Sequence, residues 1–173
     1  MRIELHFGDI TDLKTDCIVN AAKPSLLGGG GVDGAIHKKA GFKLKEYCKN
    51  LNGCEIGEAK ITPGFESNSK YIIHTVGPRI SFFNSIVGEQ EIQKLKESYL
   101  NSLRLGCEYR LNELVFSNIS TGSYGFPKAI AAKISFETVE FFLSENEYPK
   151  KVTFCCYDLD NLEAYIDVIK EKI

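Results

Sequence analysis

The chain has 173 residues, of which 43% are hydrophobic and 25% charged, and a net charge of −2. This composition predicts one globular domain, and the slight acidic excess argues against a general nucleic-acid-binding protein. No apolar run reaches the roughly 18 residues of a membrane span, and residues 1–10 do not resemble a secretory signal, so we expect a cytoplasmic protein without membrane contact.

The six cysteines do not form a recognisable metal motif. There is no C-x-x-C pair, and no histidine follows Cys48 and Cys54 at the spacing of a zinc finger. Without a secretory signal, free thiols are the expected state. We therefore predict neither a metal site nor a cofactor, and we expect Cys17, Cys155 and Cys156 to pack as small buried side chains.

The first half of the chain alternates between strand and helix patterns. Short apolar runs predict strands, and a periodic segment beginning at Gly34 and ending near Tyr47 predicts one helix. Pro63 and Gly64 mark a turn between two of these strands. The predicted strands are residues 2–7, 16–21, 58–63 and 70–76.

The second half continues the alternation. Residues 89–106 carry an apolar stripe that predicts a helix, with Gly106 as its stop. A strand (112–119), a helix from Pro127, a strand (151–156) and a last helix opened by Asp160 in a capping-box pattern follow. Strands alternating with helices predict an α/β fold with a largely parallel sheet in a single domain covering residues 1–173.

Two loops rich in glycine and small polar residues, 20–34 and 120–127, each follow a predicted strand and open a predicted helix. Ligands of parallel α/β sheets bind outside the carboxyl ends of the strands, so both loops are expected to face one crevice. Backbone amides at helix N-termini bind anions, and glycines allow an anion to reach them. The pair of loops therefore predicts a diphosphate site. The alternative is that both are flexible turns.

Two other glycine-rich nucleotide-binding motifs fit the chain poorly. Gly29, Gly31 and Gly34 match G-x-G-x-x-G, but a dinucleotide-binding fold needs these glycines directly after the strand, which is predicted to end near Ala21. The phosphate loop of nucleotide triphosphatases needs a Gly-Lys pair, and the chain has none. Asp33 could serve as the N-cap of the following helix or face a ligand, and its position alone does not decide between these roles.

Several motifs, in order along nearly the whole chain, resemble the macrodomain family and its MacroD-type group. They are GDIT (8–11), VNAA (19–22), LLGGGGVDGAIHKKAG (26–41), GEAKITPGF (57–65), YIIHTVGP (71–78), ISTGSYGFP (119–127) and CCYDLDN (155–161). The resemblance implies a three-layer α/β/α sandwich with a mixed, mostly parallel sheet. It also implies binding of ADP-ribose and hydrolysis of its esters.

The resemblance also assigns roles to individual residues. Asp9 would accept a hydrogen bond from the adenine amino group, Ile10 would contribute its amide, and Asp33 would be the catalytic carboxylate. Tyr157 would stack near the adenine, and Phe126 would pack beside the distal ribose. The other implied ligand-binding residues are Asn20, Gly30, Gly31, Val32, Ser120, Thr121, Gly122, Ser123, Tyr124 and Gly125.

Lys23 departs from the family pattern, which usually has a second asparagine at this position, near the distal ribose. A charged lysine can donate hydrogen bonds to a hydroxyl but cannot accept one. It could take part in catalysis, attract the ligand phosphates, or point to solvent. His6, His37 and His74 are interpreted as structural, because none is predicted to lie beside a nucleophile.

The expected function is removal of mono-ADP-ribose from acidic side chains, deacetylation of O-acetyl-ADP-ribose, or both. A water positioned by Asp33 and a ligand phosphate would carry out the hydrolysis. The alternatives are a non-catalytic reader of ADP-ribosylated proteins, which Lys23 favours, and a phosphatase for ADP-ribose 1″-phosphate. The expected partners are ADP-ribose, O-acetyl-ADP-ribose and ADP-ribosylated proteins; nucleic acid is not expected, and the chain is expected to be a monomer.

Overall fold

A computed structural model describes residues 2–81 and 86–173. Its strands are β1 (Ile3–Phe7), β2 (Thr15–Ala21), β3 (Ala59–Pro63), β4 (Ser69–Thr75), β5 (Glu113–Phe116) and β6 (Lys151–Cys156). Its α-helices are α1 (Gly31–Ala40), α2 (Phe42–Lys49), α3 (Glu89–Glu108), α4 (Lys128–Glu145) and α5 (Leu159–Lys170), and one 3-10 turn covers Ile10–Asp12.

The strands form one mixed sheet in the order β1-β6-β5-β2-β4-β3. All neighbouring pairs are parallel except β3 and β4, which are antiparallel. The carboxyl ends of the five parallel strands therefore lie at one edge of the sheet, where the loops that lead into the helices begin. The predicted α/β fold with a mostly parallel sheet is confirmed.

Helices cover both faces of the sheet, because alternate residues of the buried strands point to opposite sides. Cys17 and Val19 of β2 pack in the larger core, which α3, α4 and α5 cover. Ile18, between them, packs in a smaller core with Ile36 and Leu44 of α1 and α2. The result is a three-layer sandwich in which α1 and α2 rest on the smaller core.

The helix predicted from Gly34 to about Tyr47 is in fact two helices. The first begins at Gly31, three residues earlier than predicted. It ends at Gly41, whose φ of 81° is one that side chains rarely adopt, and α2 begins at the next residue. The break turns the chain, and both short helices then pack on the same core.

Two predicted helix signals were wrong. Gly106 does not end a helix: α3 continues through it to Glu108. The N-cap of α5 is Asp158 rather than Asp160, since the Asp158 side chain accepts a hydrogen bond from the Asn161 amide at 2.9 Å. For α5 the type of signal was right and its position was off by two residues, which is the usual error at helix ends, whereas the C-cap of α3 is Tyr109 rather than a glycine.

All six cysteines are free thiols, as predicted. Burial raises the pKa of Cys48, Cys54 and Cys156 to about 11 and that of Cys155 to about 12. These four thiols therefore stay protonated at neutral pH. None of the helices within residues 2–81 and 86–173 has the length and apolarity that a membrane span requires.

Candidate active site

A cavity of about 380 Å³ opens at the carboxyl edge of the sheet. Its wall is made of segments that follow β1, β2, β4, β5 and β6, together with the first residues of α1. Both glycine-rich loops predicted from the sequence contribute to it. They contribute Gly30–Asp33 on one side and Ser120–Tyr124 on the other. The two stretches of main chain thus face a common space, as their positions after parallel strands predicted.

The first loop presents the start of α1 to the cavity. Gly30 is the N-cap of the helix and supplies no side-chain hydrogen bond, so the first amides of the helix lack an intrahelical partner. Gly31 has a φ of 59°, which favours glycine, and a Cβ at Gly30 or Gly31 would meet no other atom within 4 Å. The unpaired amides therefore face open space that an anion can enter.

The second loop is a turn fixed by its own backbone. The Phe126 amide donates to the Ser120 carbonyl at 2.9 Å, and the Gly125 amide donates to the Gly122 carbonyl at 3.0 Å. Ser120 has a φ of 66° and is buried. The Tyr124 carbonyl accepts a hydrogen bond from the Ile80 amide at 2.8 Å, which attaches the loop to the segment after β4. The loop is thus held in shape before any ligand binds.

Asp33 is a buried carboxylate in the cavity wall, only 3% exposed. It lies inside α1 rather than at the N-cap, which excludes the capping role left open by the sequence. Its Oδ1 accepts a hydrogen bond from Asn20 Nδ2 at 2.8 Å, and His37 Nε2 lies 3.5 Å from the same oxygen. Its Oδ2 is buried without a hydrogen-bond partner among the described residues. The hydrogen-bonding capacity of that oxygen is therefore left unused by the described protein groups.

A line of buried polar groups extends behind Asp33. The second proton of Asn20 Nδ2 points to His74 Nδ1 at 3.2 Å, and His74 Nε2 lies 3.0 Å from Thr62 Oγ1. Because the Asn20 amide nitrogen can only donate, His74 accepts at Nδ1 and carries its proton on Nε2. Burial, with a smaller effect of the nearby His37, lowers the pKa of His74 to about 3. The ring is therefore neutral at physiological pH.

The family is decided by the comparison with known proteins. The model of the Macro domain family matches residues 19–135. A macro domain-containing protein of Methanosarcina mazei is 49% identical over 163 residues, covering 94% of this chain and 85% of its own length. The chain belongs to the macro domain family.

Three further proteins that are similar to this macro domain have named activities or a named ligand. An O-acetyl-ADP-ribose deacetylase of Enterobacter sp. is 46% identical, over 95% of this chain and 91% of its own. The ADP-ribose glycohydrolase MACROD2 of Homo sapiens is 43% identical over 99% of this chain but only 39% of its own length. A variant of the Oceanobacillus iheyensis macrodomain with ADPR superposes with a TM-score of 0.91 at 38% identity, over 98% of this chain and 92% of that one.

Most of the site residues predicted from the sequence line the cavity of this macro domain. Asp9 and Ile10 lie at one end with Tyr157, which is 76% exposed. Oδ1 of Asp9 accepts from the amide and the hydroxyl of Thr11 at 2.9 and 2.7 Å, which fixes the carboxylate. The lining also includes the predicted residues Lys23, Gly30, Gly31, Val32, Asp33, Ser120, Thr121, Gly122, Ser123 and Tyr124.

Three predicted residues are not in the cavity wall of the macro domain. Asn20 is fully buried behind Asp33, where it contacts the carboxylate instead of the cavity. Phe126 is 2% exposed and belongs to the larger core. Gly125 completes the turn of the second loop, with a φ of 70°. Any effect of these three residues on ligand binding therefore acts through the neighbouring cavity residues that they hold in position.

Sequence reasoning missed several residues at this site. His37 follows Asp33 by one helical turn, and that spacing of four could have suggested their proximity. Asn161 and Asp158 line the same end of the cavity as Tyr157, and Asp158 pairs with Lys128 at 3.1 Å. Gly77, Ser117 and Asn118 follow β4 and β5 directly. The rule that ligands bind after parallel strands could have indicated these three.

Lys23 lies at the cavity wall beside the glycine segment. Its Cε and Nζ atoms lie 2.7 Å from the position that a Cβ on Gly29 would occupy. The ammonium group therefore sits next to the loop that presents the α1 amides, and it has no ion-pair partner among residues 2–81 and 86–173. Its charge adds to the positive potential of the helix N-terminus.

Because His74 is neutral in the folded protein, we expect the free energy of unfolding to depend on pH. The folded protein keeps His74 unprotonated down to about pH 3, whereas the unfolded chain protonates it below its ordinary pKa of 6.5. Between these two pH values the unfolded state binds more protons than the folded state. The free energy of unfolding therefore decreases as the pH falls, by up to about 1.4 kcal/mol per pH unit. Urea unfolding from pH 7 to 4.5 measures the slope. His74→Gln, which retains hydrogen-bonding groups, is expected to reduce it, and an unchanged slope would contradict the assignment.

Proposed function

We propose that this protein binds ADP-ribose and hydrolyses ester bonds at its distal ribose, in mono-ADP-ribosylated acidic side chains, in O-acetyl-ADP-ribose, or in both. One observation carries the proposal: a buried carboxylate, Asp33, lies in the cavity wall between two amide-presenting loops, and its Oδ2 has no hydrogen-bond partner among the described residues. The activities named for the Enterobacter and human relatives support the same reaction class.

The arrangement of the wall suggests the orientation of the ligand. Asp9 and Ile10 would bind the adenine, with Tyr157 stacked beside it. The amides at the start of α1 and in the loop Ser120–Tyr124 would hold the diphosphate between them. The distal ribose would then lie near Asp33 and Lys23. Binding by main-chain amides needs little help from charged side chains, and Lys23 is the only lysine or arginine in the described cavity wall.

Asp33 would act as a general base. A water held between Asp33 Oδ2 and a ligand phosphate would attack the ester carbonyl carbon, and its proton would pass to the carboxylate. The carbon–oxygen bond to the ribose then breaks, and the ribosyl oxygen leaves with a proton. The hydrogen bond from Asn20 fixes Oδ1, so that Oδ2 is aimed at the water. Holding the diphosphate fixes the ester over this water, which lowers the entropic part of the barrier.

Lys23 is expected to strengthen ligand binding through its charge. In Lys23→Met the ammonium beside Gly29 is lost, and the Kd of ADP-ribose should rise about threefold, as expected for one exposed charge pair. The salt dependence of binding should decrease as well. Isothermal titration at two ionic strengths measures both quantities, with Lys23→Arg as the charge-conserving control. An affinity that does not change in Lys23→Met would show that Lys23 points to solvent.

The second candidate function is a reader that binds ADP-ribosylated proteins without turnover. The observation that favours it is Lys23, which takes the place of an asparagine usual in the family and borders the reacting end of the cavity. A cation there could pair with the Asp33 carboxylate and weaken its ability to take a proton from the water. Lys23→Asn separates the two functions, because it would create activity in a reader and would change an existing activity only modestly in an enzyme.

The direct test has two stages. Isothermal titration with ADP-ribose first measures binding. A peptide mono-ADP-ribosylated on one glutamate and O-acetyl-ADP-ribose are then each incubated with the protein, and released ADP-ribose is quantified. Release from either substrate supports the hydrolase, binding without release supports the reader, and no binding at millimolar ADP-ribose would falsify both.

A further inference from the structure

A second groove lies on the other side of the glycine segment from the cavity. It has a volume of about 350 Å³ and is lined by residues of α1, α2 and the segment before them, among them Leu27, Gly29, His37, Lys38, Phe42 and Lys45. Neither the ligand orientation nor the mechanism proposed above uses it. It is called the α1–α2 groove below.

The two pockets share a thin wall. A Cβ on Gly34 would lie 2.4 Å from the Gly29 carbonyl oxygen, so these two glycines are in contact, and both line the α1–α2 groove. The next residues, Gly30 and Gly31, line the cavity with Asp33. His37 lies in the groove and 3.5 Å from Asp33. A chain leaving the distal ribose near Asp33 therefore has only the glycine segment to cross before it reaches the groove.

The charge around the groove is strongly positive, although the chain as a whole has a net charge of −2. Residues 37–49 contain five lysines and a single acidic residue, Glu46, which pairs with Lys49 at 2.7 Å. Lys38 and Lys45 are exposed and have no ion-pair partner among the described residues. Two further carboxylates lie close to this face. Asp33 Oδ1 lies 3.5 Å from His37 Nε2, and Oε2 of the exposed Glu66 lies 3.0 Å from the position that a Cβ on Gly41 would occupy.

An aromatic side chain adds an apolar contact to the groove. Phe42, the first residue of α2, is 74% exposed and lines the groove between the lysines. An exposed phenylalanine flanked by basic residues can pack against the aliphatic and peptide groups of a bound chain while the lysines pair with its carboxylates. This combination matches a short acidic peptide.

We infer that the α1–α2 groove docks the acidic polypeptide segment that flanks an ADP-ribosylated glutamate or aspartate. This inference rests on the proposed function, because the ester at Asp33 places the modified residue at the glycine segment. The flanking residues pass over Gly28 and Gly29 into the groove, where Lys38 and Lys45 pair with their carboxylates. The groove thereby makes the protein prefer modified carboxylates in acidic surroundings over small esters such as O-acetyl-ADP-ribose.

The test compares three substrates: a peptide ADP-ribosylated on a glutamate with acidic neighbours, the same peptide with serine and glycine neighbours, and O-acetyl-ADP-ribose. We expect kcat/KM for the acidic peptide to exceed that for the neutral peptide about fivefold at low salt. Lys38→Gln/Lys45→Gln should remove the difference and leave the rate on O-acetyl-ADP-ribose unchanged, whereas Lys38→Arg/Lys45→Arg should retain it.

Two matched controls come from the opposite face of the sheet. Lys96→Gln/Lys133→Gln removes the same charge from exposed positions on α3 and α4 and should keep the preference. Phe42→Ala should weaken acidic-peptide binding about threefold, whereas Phe141→Ala, which removes a phenylalanine that is 70% exposed on α4, should not.

Equal kcat/KM values for the two peptides would overturn the inference. So would a loss of kcat/KM in Lys38→Gln/Lys45→Gln that is equally large on O-acetyl-ADP-ribose. The same loss of preference in Lys96→Gln/Lys133→Gln would overturn it as well. An oligonucleotide that competes more strongly than the acidic peptide would also overturn it. If none of the three substrates turns over, the affinities of the acidic and the neutral peptide, measured by fluorescence anisotropy, replace the rates. A retained preference there supports docking although the proposed hydrolysis has failed, and an absent preference refutes docking.

Discussion

Asp33→Ala is expected to lower kcat for ADP-ribosyl ester hydrolysis by a factor of about 10² to 10⁴, the usual contribution of a general base. The Kd of ADP-ribose should stay within about tenfold of the wild-type value. The reason is that Asp33 is expected to act on the water, while backbone amides and Asp9 bind the nucleotide. Released ADP-ribose and isothermal titration measure the two quantities.

The same variant leaves Asn20 without its acceptor, so its stability must be checked. The buried Asn20 amide loses its 2.8 Å hydrogen bond to Oδ1, which costs about 1 to 3 kcal/mol. Thermal unfolding separates this effect from catalysis, and Asp33→Asn provides a variant of nearly the same shape. Asp12→Ala removes an exposed carboxylate outside the cavity and should leave turnover unchanged. Turnover by Asp33→Ala within threefold of the wild type would refute the role of the carboxylate.

Gly34→Ala is expected to weaken ADP-ribose binding more than tenfold and to lower the melting temperature. In a helix this change normally stabilises by about 0.5 to 1 kcal/mol. Here the new Cβ would lie 2.4 Å from the Gly29 carbonyl oxygen, a distance too short for two such atoms. Since the obstacle is backbone, the glycine segment must move, and with it the amides at the start of α1.

Gly106→Ala is the matched control for Gly34→Ala. It also lies inside a helix, but its Cβ would meet Leu114 Cδ2 at 3.3 Å, the end of a side chain that can adjust. We expect this variant to bind ADP-ribose as the wild type does. Isothermal titration and differential scanning fluorimetry on both variants make the comparison. Wild-type affinity in Gly34→Ala would show that the position of the glycine segment does not matter for binding.

The sequence predicted the position of the site because that position follows from topology. Buried strands and helical periodicity are local signals, and a parallel sheet places all its carboxyl ends at one edge. The loops 20–34 and 120–127, far apart in the chain, were therefore correctly expected at one crevice. The motifs of the macro domain family added the identity of the expected ligand, which spacing alone could not provide.

Features that depend on packing were not predictable. Gly41 ends a helix and Gly106 lies inside one, although each follows a similar periodic segment. The difference is that α3 continues against β5 and the segment near Pro149, whereas α1 must turn to bring α2 onto the smaller core. Likewise, Phe126 was expected beside the ligand and packs in the larger core, because its sequence position does not determine the direction of its side chain.

The unequal cores on the two faces of the sheet have a consequence for how the molecule opens. The helices α3, α4 and α5 share a large aromatic core with Phe116, Phe136 and Phe154, while α1 and α2 rest on a smaller set of aliphatic residues. Local opening is easiest where few apolar contacts must be broken. The amides of α1 and α2 should therefore exchange with deuterium before those of the central strands. A nucleotide bound by the first amides of α1 should slow that exchange. The helical layer that contacts the substrate is therefore also the layer whose local opening the substrate suppresses.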